Sequence, residues 1–335
     1  MRSTSEPQDR IMDRTLLRSK FIKRFSSDPE TIRDIRDIEK IEQIDADERF
    51  PCQSPNEALM LASQAFPQAT AISFLPNGSV SDVPINWTYK EYQEEVYRAA
   101  NMFHSLGLQS DQSVIFLLPN VPQFLFGLWG AQLAGIAAPI NPYLEVEHIA
   151  SIAKSANAKI LVTLAPSQPG GEDLWNKAMK AKSIASDIQQ IIVIGDSQDD
   201  YSSSWDQATR AQPSDRLIFD RPISGTEIAS YFHTGGTTGA PKLAQHTHRR
   251  QVLNVCQMQI TGPRGKEKNE FADCDIILCT LPLFHVNAVF VTSLNAIVGA
   301  GQVVLAGPNG FRNLQLIHDF WHLHGLSHSV MGRRL

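Results

Sequence analysis

From Thr88 onward the chain alternates helical and extended hydrophobic patterns, and this alternation constrains its fold more than any other feature. Thr88-Tyr-Lys-Glu91 spells a capping box, in which a hydroxyl and a carboxylate satisfy the first free N–H groups of a helix. Behind it Tyr92, Val96, Ala99, Phe103 and Leu106 recur at helical spacing, and Gly107 supplies the stop. Residues 113–118, apolar after Ser113, read as a buried strand, ended by Pro119-Asn120. Pro122 opens a helix through Phe124 to Ala134. Residues 144–156 read as a helix, 159–163 and 190–195 as strands, and 166–171 and 197–204 as loops. Such alternation predicts an α/β fold with mainly parallel sheets covered by helices. Ligands of such sheets gather beyond the C-terminal strand ends.

One segment carries the chemistry such a position needs. Residues 227–232 read as a short apolar strand, and Tyr231-Phe-His-Thr-Gly-Gly-Thr-Thr-Gly-Ala-Pro-Lys242 runs out of it. Gly235, Gly236 and Gly239 let backbone N–H groups approach a ligand closely, and concave runs of such groups bind phosphate. Thr234, Thr237 and Thr238 add hydroxyl donors, Lys242 adds a cation, and Pro241 limits where the chain can send it. A Walker A loop would place lysine directly after its last glycine, with Ser or Thr next to hold magnesium. Here Ala240 and Pro241 intervene and Leu243 follows, which opposes a Walker-type ATPase or kinase.

Thr-Gly-Gly-Thr-Thr-Gly-Ala-Pro-Lys resembles the phosphate loop of AMP-forming acyl-CoA synthetases, members of the adenylate-forming superfamily. Gly235 stands where serine is common in that motif, and Leu243 where glycine is common. Trp87-Thr-Tyr, Arg98-Ala-Ala-Asn-Met-Phe, Leu118-Pro-Asn and Gly135-Ile-Ala-Ala-Pro-Ile-Asn-Pro are similar to pieces of the early large domain of the same enzymes. Downstream, residues 276–280 read as a strand leading into Leu281-Pro-Leu-Phe-His285-Val-Asn287. This segment is similar to the family's second landmark, whose histidine lies near the acyl carboxylate and the α-phosphate. The resemblance therefore implies phosphate binding by Thr234, Gly235, Gly236, Thr237, Thr238, Gly239 and Lys242. It implies catalytic roles for Lys242 and His285, and a substrate pocket that includes Phe284, His285 and Asn287. Residues alone leave His285 equally readable as an ordinary core or turn histidine.

The rest of the chain bounds this reading. Of the first 50 residues 23 are charged, against 19% for the whole chain, so residues 1–50 read as a solvated, partly disordered leader. Within it Arg14, Arg18, Lys20, Lys23 and Arg24 interleave with Leu16, Leu17, Phe21, Ile22 and Phe25, a pattern open to mitochondrial targeting or membrane-surface contact. Glu6, Asp9 and Asp13 oppose a transit peptide, and a cytoplasmic location is expected. Residues 121–140 are the most apolar run, yet Gln123, Gln132 and interspersed glycines and prolines predict a core helix and a turn rather than a membrane span. A net charge of −5 gives no reason to expect nucleic acid as a partner. Four scattered cysteines lack metal-ligand spacing and fit a reducing compartment. No metal centre is expected either at His246 and His248 or at His318, His322, His324 and His328, where no carboxylate or cysteine completes a tetrahedral set.

By resemblance, the activity is ligation of a small carboxylic acid to coenzyme A. ATP binds with magnesium, the carboxylate attacks the α-phosphorus, pyrophosphate leaves, and the thiol then displaces AMP. The residues after Lys242 contain no aromatic-Gly-x-Thr-Glu segment for adenine and magnesium and no Thr-Gly-Asp for ribose. The expectation is therefore an incomplete large N-terminal domain over residues 51–335, with the C-terminal lid domain and its adenylation lysine absent, and inactive alone. A catalytically silent fragment that binds anions or acyl groups, or self-associates through exposed sheet edges, is the alternative.

Overall fold

The computed structural model describes residues 33–197, 202–234, 242–261 and 276–307. They form two sheets. β1 (Thr70–Leu75) and β2 (Ile85–Thr88) come first, then β3 (Ser113–Phe116), β4 (Ile136–Pro139), β5 (Ala158–Leu164), β6 (Gln190–Ile194) and β7 (Ser202–Ser204). β8 (Ile228–Thr234), β9 (Lys242–Thr247), β10 (Ile276–Cys279) and β11 (Gln302–Ala306) follow. The larger sheet has the order β7-β6-β5-β3-β4-β8-β9 and the smaller β10-β11-β1-β2. Every pairing in the larger sheet is parallel except β8 with β9, and in the smaller only β1 with β2 is antiparallel. This is the predicted α/β architecture.

The central strands are buried on both faces, as parallel strands under helices must be. All four residues of β3 and all four of β4 are buried. The capping box forms as read: the Glu91 carboxylate accepts from Thr88 N at 2.8 Å, and Glu91 N donates to Thr88 Oγ1 at 3.2 Å. The helix Tyr89–Ser105 ends before Gly107, whose φ of +84° costs glycine nothing. The apolar run 121–140 becomes the helix Pro122–Ala134, buried almost all round, and then β4. The expected turn is one residue, Gly135, where a Cβ would stand 2.7 Å from the Gln112 carbonyl oxygen. Among the described residues no helix is long and apolar enough to cross a membrane.

The two sheets share one core, in which Ile72 and Val303 of the smaller join Val114, Ile160 and Phe232 of the larger. Tyr89 Oη donates toward the carbonyls of Ala296 (3.1 Å) and Gly301 (2.7 Å), fixing the first large-sheet helix to the smaller sheet's approach. Several elements go beyond the sequence reading. Residues 202–204 of the expected loop pair with β6 as an edge strand, and Gly171–Ile184 forms a helix. Residues 242–247 form a strand, and Pro55–Ala65 is a helix capped by Ser54. Within the charged leader, Ile35–Glu42 is a helix that buries no side chain. Ala46–Arg49 is tied to the body by Arg249, whose guanidinium donates to Asp47 Oδ1 and to the Ala46 and Cys52 carbonyls, each at 2.8 Å. The basic interleaved stretch, residues 10–25, lies outside the described residues.

Candidate active site at the meeting of two sheets

The segments that follow β3, β4, β8 and β10 converge, so one site draws on the C-terminal ends of both sheets. β8 brings Phe232 in buried, His233 half-buried and Thr234 exposed. β9 pairs with it antiparallel, setting Lys242 opposite Thr234 and Leu243 opposite His233. Thr234 Oγ1 donates to the Lys242 carbonyl at 3.4 Å, and the Lys242 side chain is exposed. Residues 235–241 join the two strands. Gly235, Gly236, Thr237, Thr238 and Gly239 therefore lie outside the described residues, while the two ends of their segment are fixed next to each other.

The second wall comes from the smaller sheet. Beyond β10 the chain turns at Pro282, whose carbonyl accepts from His285 N at 2.9 Å. Asn120, buried beyond the end of β3, clamps this turn with both ends of its amide. Its Nδ2 donates to the Leu281 carbonyl and its Oδ1 accepts from Leu283 N, both at 2.9 Å. The His285 carbonyl accepts from Val289 N at 3.3 Å at the entry to the π-helical segment Ala288–Leu294. Thr292 Oγ1 donates to the Ala288 carbonyl within that segment. Phe284 is half-buried, whereas His285 and Asn287 are exposed.

His233 links the two walls. Its Nε2 accepts from the backbone N–H of Asn141, just past β4, at 3.0 Å. Its ring stacks on Phe284 with centroids 6.4 Å apart and planes 19° apart, and Phe284 meets His285 at 6.3 Å. Burial, with a smaller push from His285, holds His233 below the usual histidine range. Thus Thr234, Lys242, Phe284 and His285 are brought together through His233, and Asn287 follows them exposed, with no side-chain contact to them shown. The sequence reading does not single out His233 or Asn120, which tie these segments together. The only sequence signals were a histidine directly before the Thr-Gly-Gly and an asparagine after a strand-ending proline.

His246, His248 and the described cysteines lie in apolar surroundings. His246 packs edge-on to Phe232 (5.5 Å) and Phe290 (5.3 Å), and His248 is wholly buried. Burial pushes the Cys256 thiol up to about 12 and Cys279 to about 11, so neither is a thiolate nucleophile at neutral pH. Among the described residues no three His, Cys, Asp or Glu side chains stand together as metal ligands. The described residues therefore do not make a protein-built magnesium cage. The tail histidines 318, 322, 324 and 328 lie outside the described residues. A separate cleft of about 240 Å³, lined by Trp87, Glu95, Arg98, Phe126 and Trp205 among others, shares no residue with this site.

Two sheets feeding one site, with a Gly/Thr segment leaving β8, define the N-terminal large domain of adenylate-forming enzymes. The solved anthranilate CoA ligase AuaEII in complex with anthranoyl-AMP superposes with a TM-score of 0.66 at 18% identity, covering 78% of this chain and 46% of that one. Residues 61–328 match the AMP-binding enzyme family, and the chain belongs to it. A marinolic acid–CoA ligase of Pseudoalteromonas sp. (strain SANK 73390) is 46% identical over 303 residues, 90% of this chain and 46% of the relative. The 4-coumarate:CoA ligase 1 of Petunia hybrida is 29% identical over 254 residues, 74% of this chain and 43% of that one. The chain thus spans about half the length of these relatives.

Proposed function

We propose that these residues supply the phosphate-facing and carboxylate-facing walls of an AMP-forming acid–thiol ligase. The observation that carries this is the pairing of Thr234 with Lys242 at the ends of the Gly/Thr segment, beside a turn that presents His285. As the carboxylate attacks the α-phosphorus, the departing pyrophosphate gathers negative charge. A lysine ammonium, threonine hydroxyls and backbone N–H groups already aimed at that tail stabilise the transition state more than the ground state. Lys242 is exposed and so can follow the moving charge. His285, on a turn held by Asn120, faces the acid side of the reaction. Magnesium, when bound with the triphosphate, neutralises part of the same charge. The acid is the least determined component; one relative's name gives marinolic acid, which heads the panel of carboxylates to test.

For residues 1–335 on their own the proposal is binding of a phosphate tail, not turnover. The adenine and ribose segments expected from the family are not among these residues. Calorimetric titration of the purified chain with inorganic pyrophosphate and with ATP tests it. Both should bind, and Lys242→Ala should weaken each about tenfold, the loss of one charge-assisted contact. Equal binding by wild type and variant would overturn the phosphate assignment. Carboxylate-dependent exchange of labelled pyrophosphate into ATP by residues 1–335 would overturn the inactivity.

A further inference from the structure

Resting on that reading of the site, we propose that His233 is its positioning residue, a neutral imidazole that locks the phosphate wall to the acid wall. Three segments meet at this residue. Its backbone belongs to β8 one residue before Thr234, so it moves with the root of the Gly/Thr segment. Its Nε2 takes the N–H of Asn141, and its face lies along Phe284, the neighbour of His285.

The Asn141 bond fixes the chemistry of the ring. A nitrogen that accepts an N–H cannot itself carry a proton, so the proton sits on Nδ1 and the ring is uncharged. Phenylalanine could supply the stacking but not the acceptor, so packing alone does not account for histidine here. A neutral ring leaves the positive charge of the phosphate wall to Lys242. It also leaves His285 without a cationic neighbour in His233. The two histidines are thereby divided by environment into one that holds position and one that is open to substrate.

Isosteric substitutions separate this role from others. In His233→Gln the side-chain oxygen reaches the place of Nε2 and can accept from Asn141. In His233→Asn the amide reaches only Nδ1, and His233→Phe keeps the stack alone. Pyrophosphate affinity should stay within about threefold of wild type in His233→Gln and fall about tenfold in the other two. In ¹⁵N-histidine-labelled wild type, His233 should show a protonated Nδ1 and a bare Nε2, and the Asn141 amide should exchange slowly. That amide should exchange fast in His233→Asn and His233→Phe and slowly in His233→Gln. An Nε2-protonated tautomer, or equal affinity and exchange in all three variants, overturns the proposal. If wild type binds no pyrophosphate, the phosphate reading falls, and tautomer and exchange still decide the role of His233.

Discussion

Replacing Asn120 with alanine should release the turn that carries His285. The amide makes two bonds across 161 and 163 residues of sequence, donating to Leu281 and accepting from Leu283. Each neutral bond contributes about 1 kcal/mol net, so losing both costs about 2 kcal/mol. Leu283 is 1% exposed, so water cannot replace the lost acceptor for its N–H, which adds about 1 kcal/mol or more. Leu281 is half-buried, and its carbonyl can recover a water. The expected loss is therefore about 3 kcal/mol, read as a lower urea midpoint with an unchanged slope. Asn120→Asp sharpens the test. Ionised, it can still accept from Leu283 but sets a second oxygen against the Leu281 carbonyl, so at pH 7 it should be less stable than Asn120→Ala. Protonated, it regains the donor. Its folded pKa is thus raised above the unfolded value near 3.9, and its stability should recover as pH falls toward that value. A loss below about 1 kcal/mol for Asn120→Ala, or an Asn120→Asp variant as stable as it at neutral pH, would refute the clamp.

Two further outcomes follow from packing. Burial, helped by Arg221, holds His248 down to about 4, and neither ring nitrogen has a hydrogen-bond partner. The folded state therefore favours the neutral ring, and about 3 kcal/mol of stability present above pH 6.5 is lost as pH falls toward 4. In His248→Phe, urea midpoints should be close to wild type at pH 7.5 and should lose that pH slope. Gly130→Ala places a Cβ 2.8 Å from the Ala99 Cβ, 2.9 Å from Ala100 N and 3.0 Å from the Val96 carbonyl oxygen. Overpacking of about 1–3 kcal/mol outweighs the roughly 1 kcal/mol alanine gains in helix propensity. Urea unfolding should show a net loss of up to about 2 kcal/mol.

The fold was legible wherever local chemistry decided it. The capping box at Thr88, the stop at Gly107 and the apolar runs of β3, β5 and β6 each act within a few residues, and each appears in place. Elements were missed where the tertiary setting outweighs local preference. β9 has a strongly polar sequence, Lys-Leu-Ala-Gln-His-Thr, and extends because β8 offers it a free edge. β7 is three serines, extended by pairing with β6. The turn expected after Ala134 shrinks to Gly135 because the Gln112 carbonyl leaves no room for a side chain there.

The site divides along the same line. A motif names residues that touch a ligand, because ligand chemistry restricts residue type over a short span. The residues that hold the motif in place are chosen by contacts the span does not contain. Four histidines illustrate the point: alike in sequence, they differ entirely in surroundings. His248 is sealed and uncharged, and His246 lies edge-on between two phenylalanines. His233 accepts a bond from a residue 92 positions away, and His285 is left exposed on a turn held by an asparagine from the other sheet. Burial and partners, not identity, decide which imidazole can meet a substrate. Strand order sets the ends of β3, β4 and β8 side by side, and Asn120 and His233 reach from there to the turn after β10. A substitution that keeps the Gly/Thr motif intact but loosens Asn120 or His233 should therefore disable the site as surely as one within it.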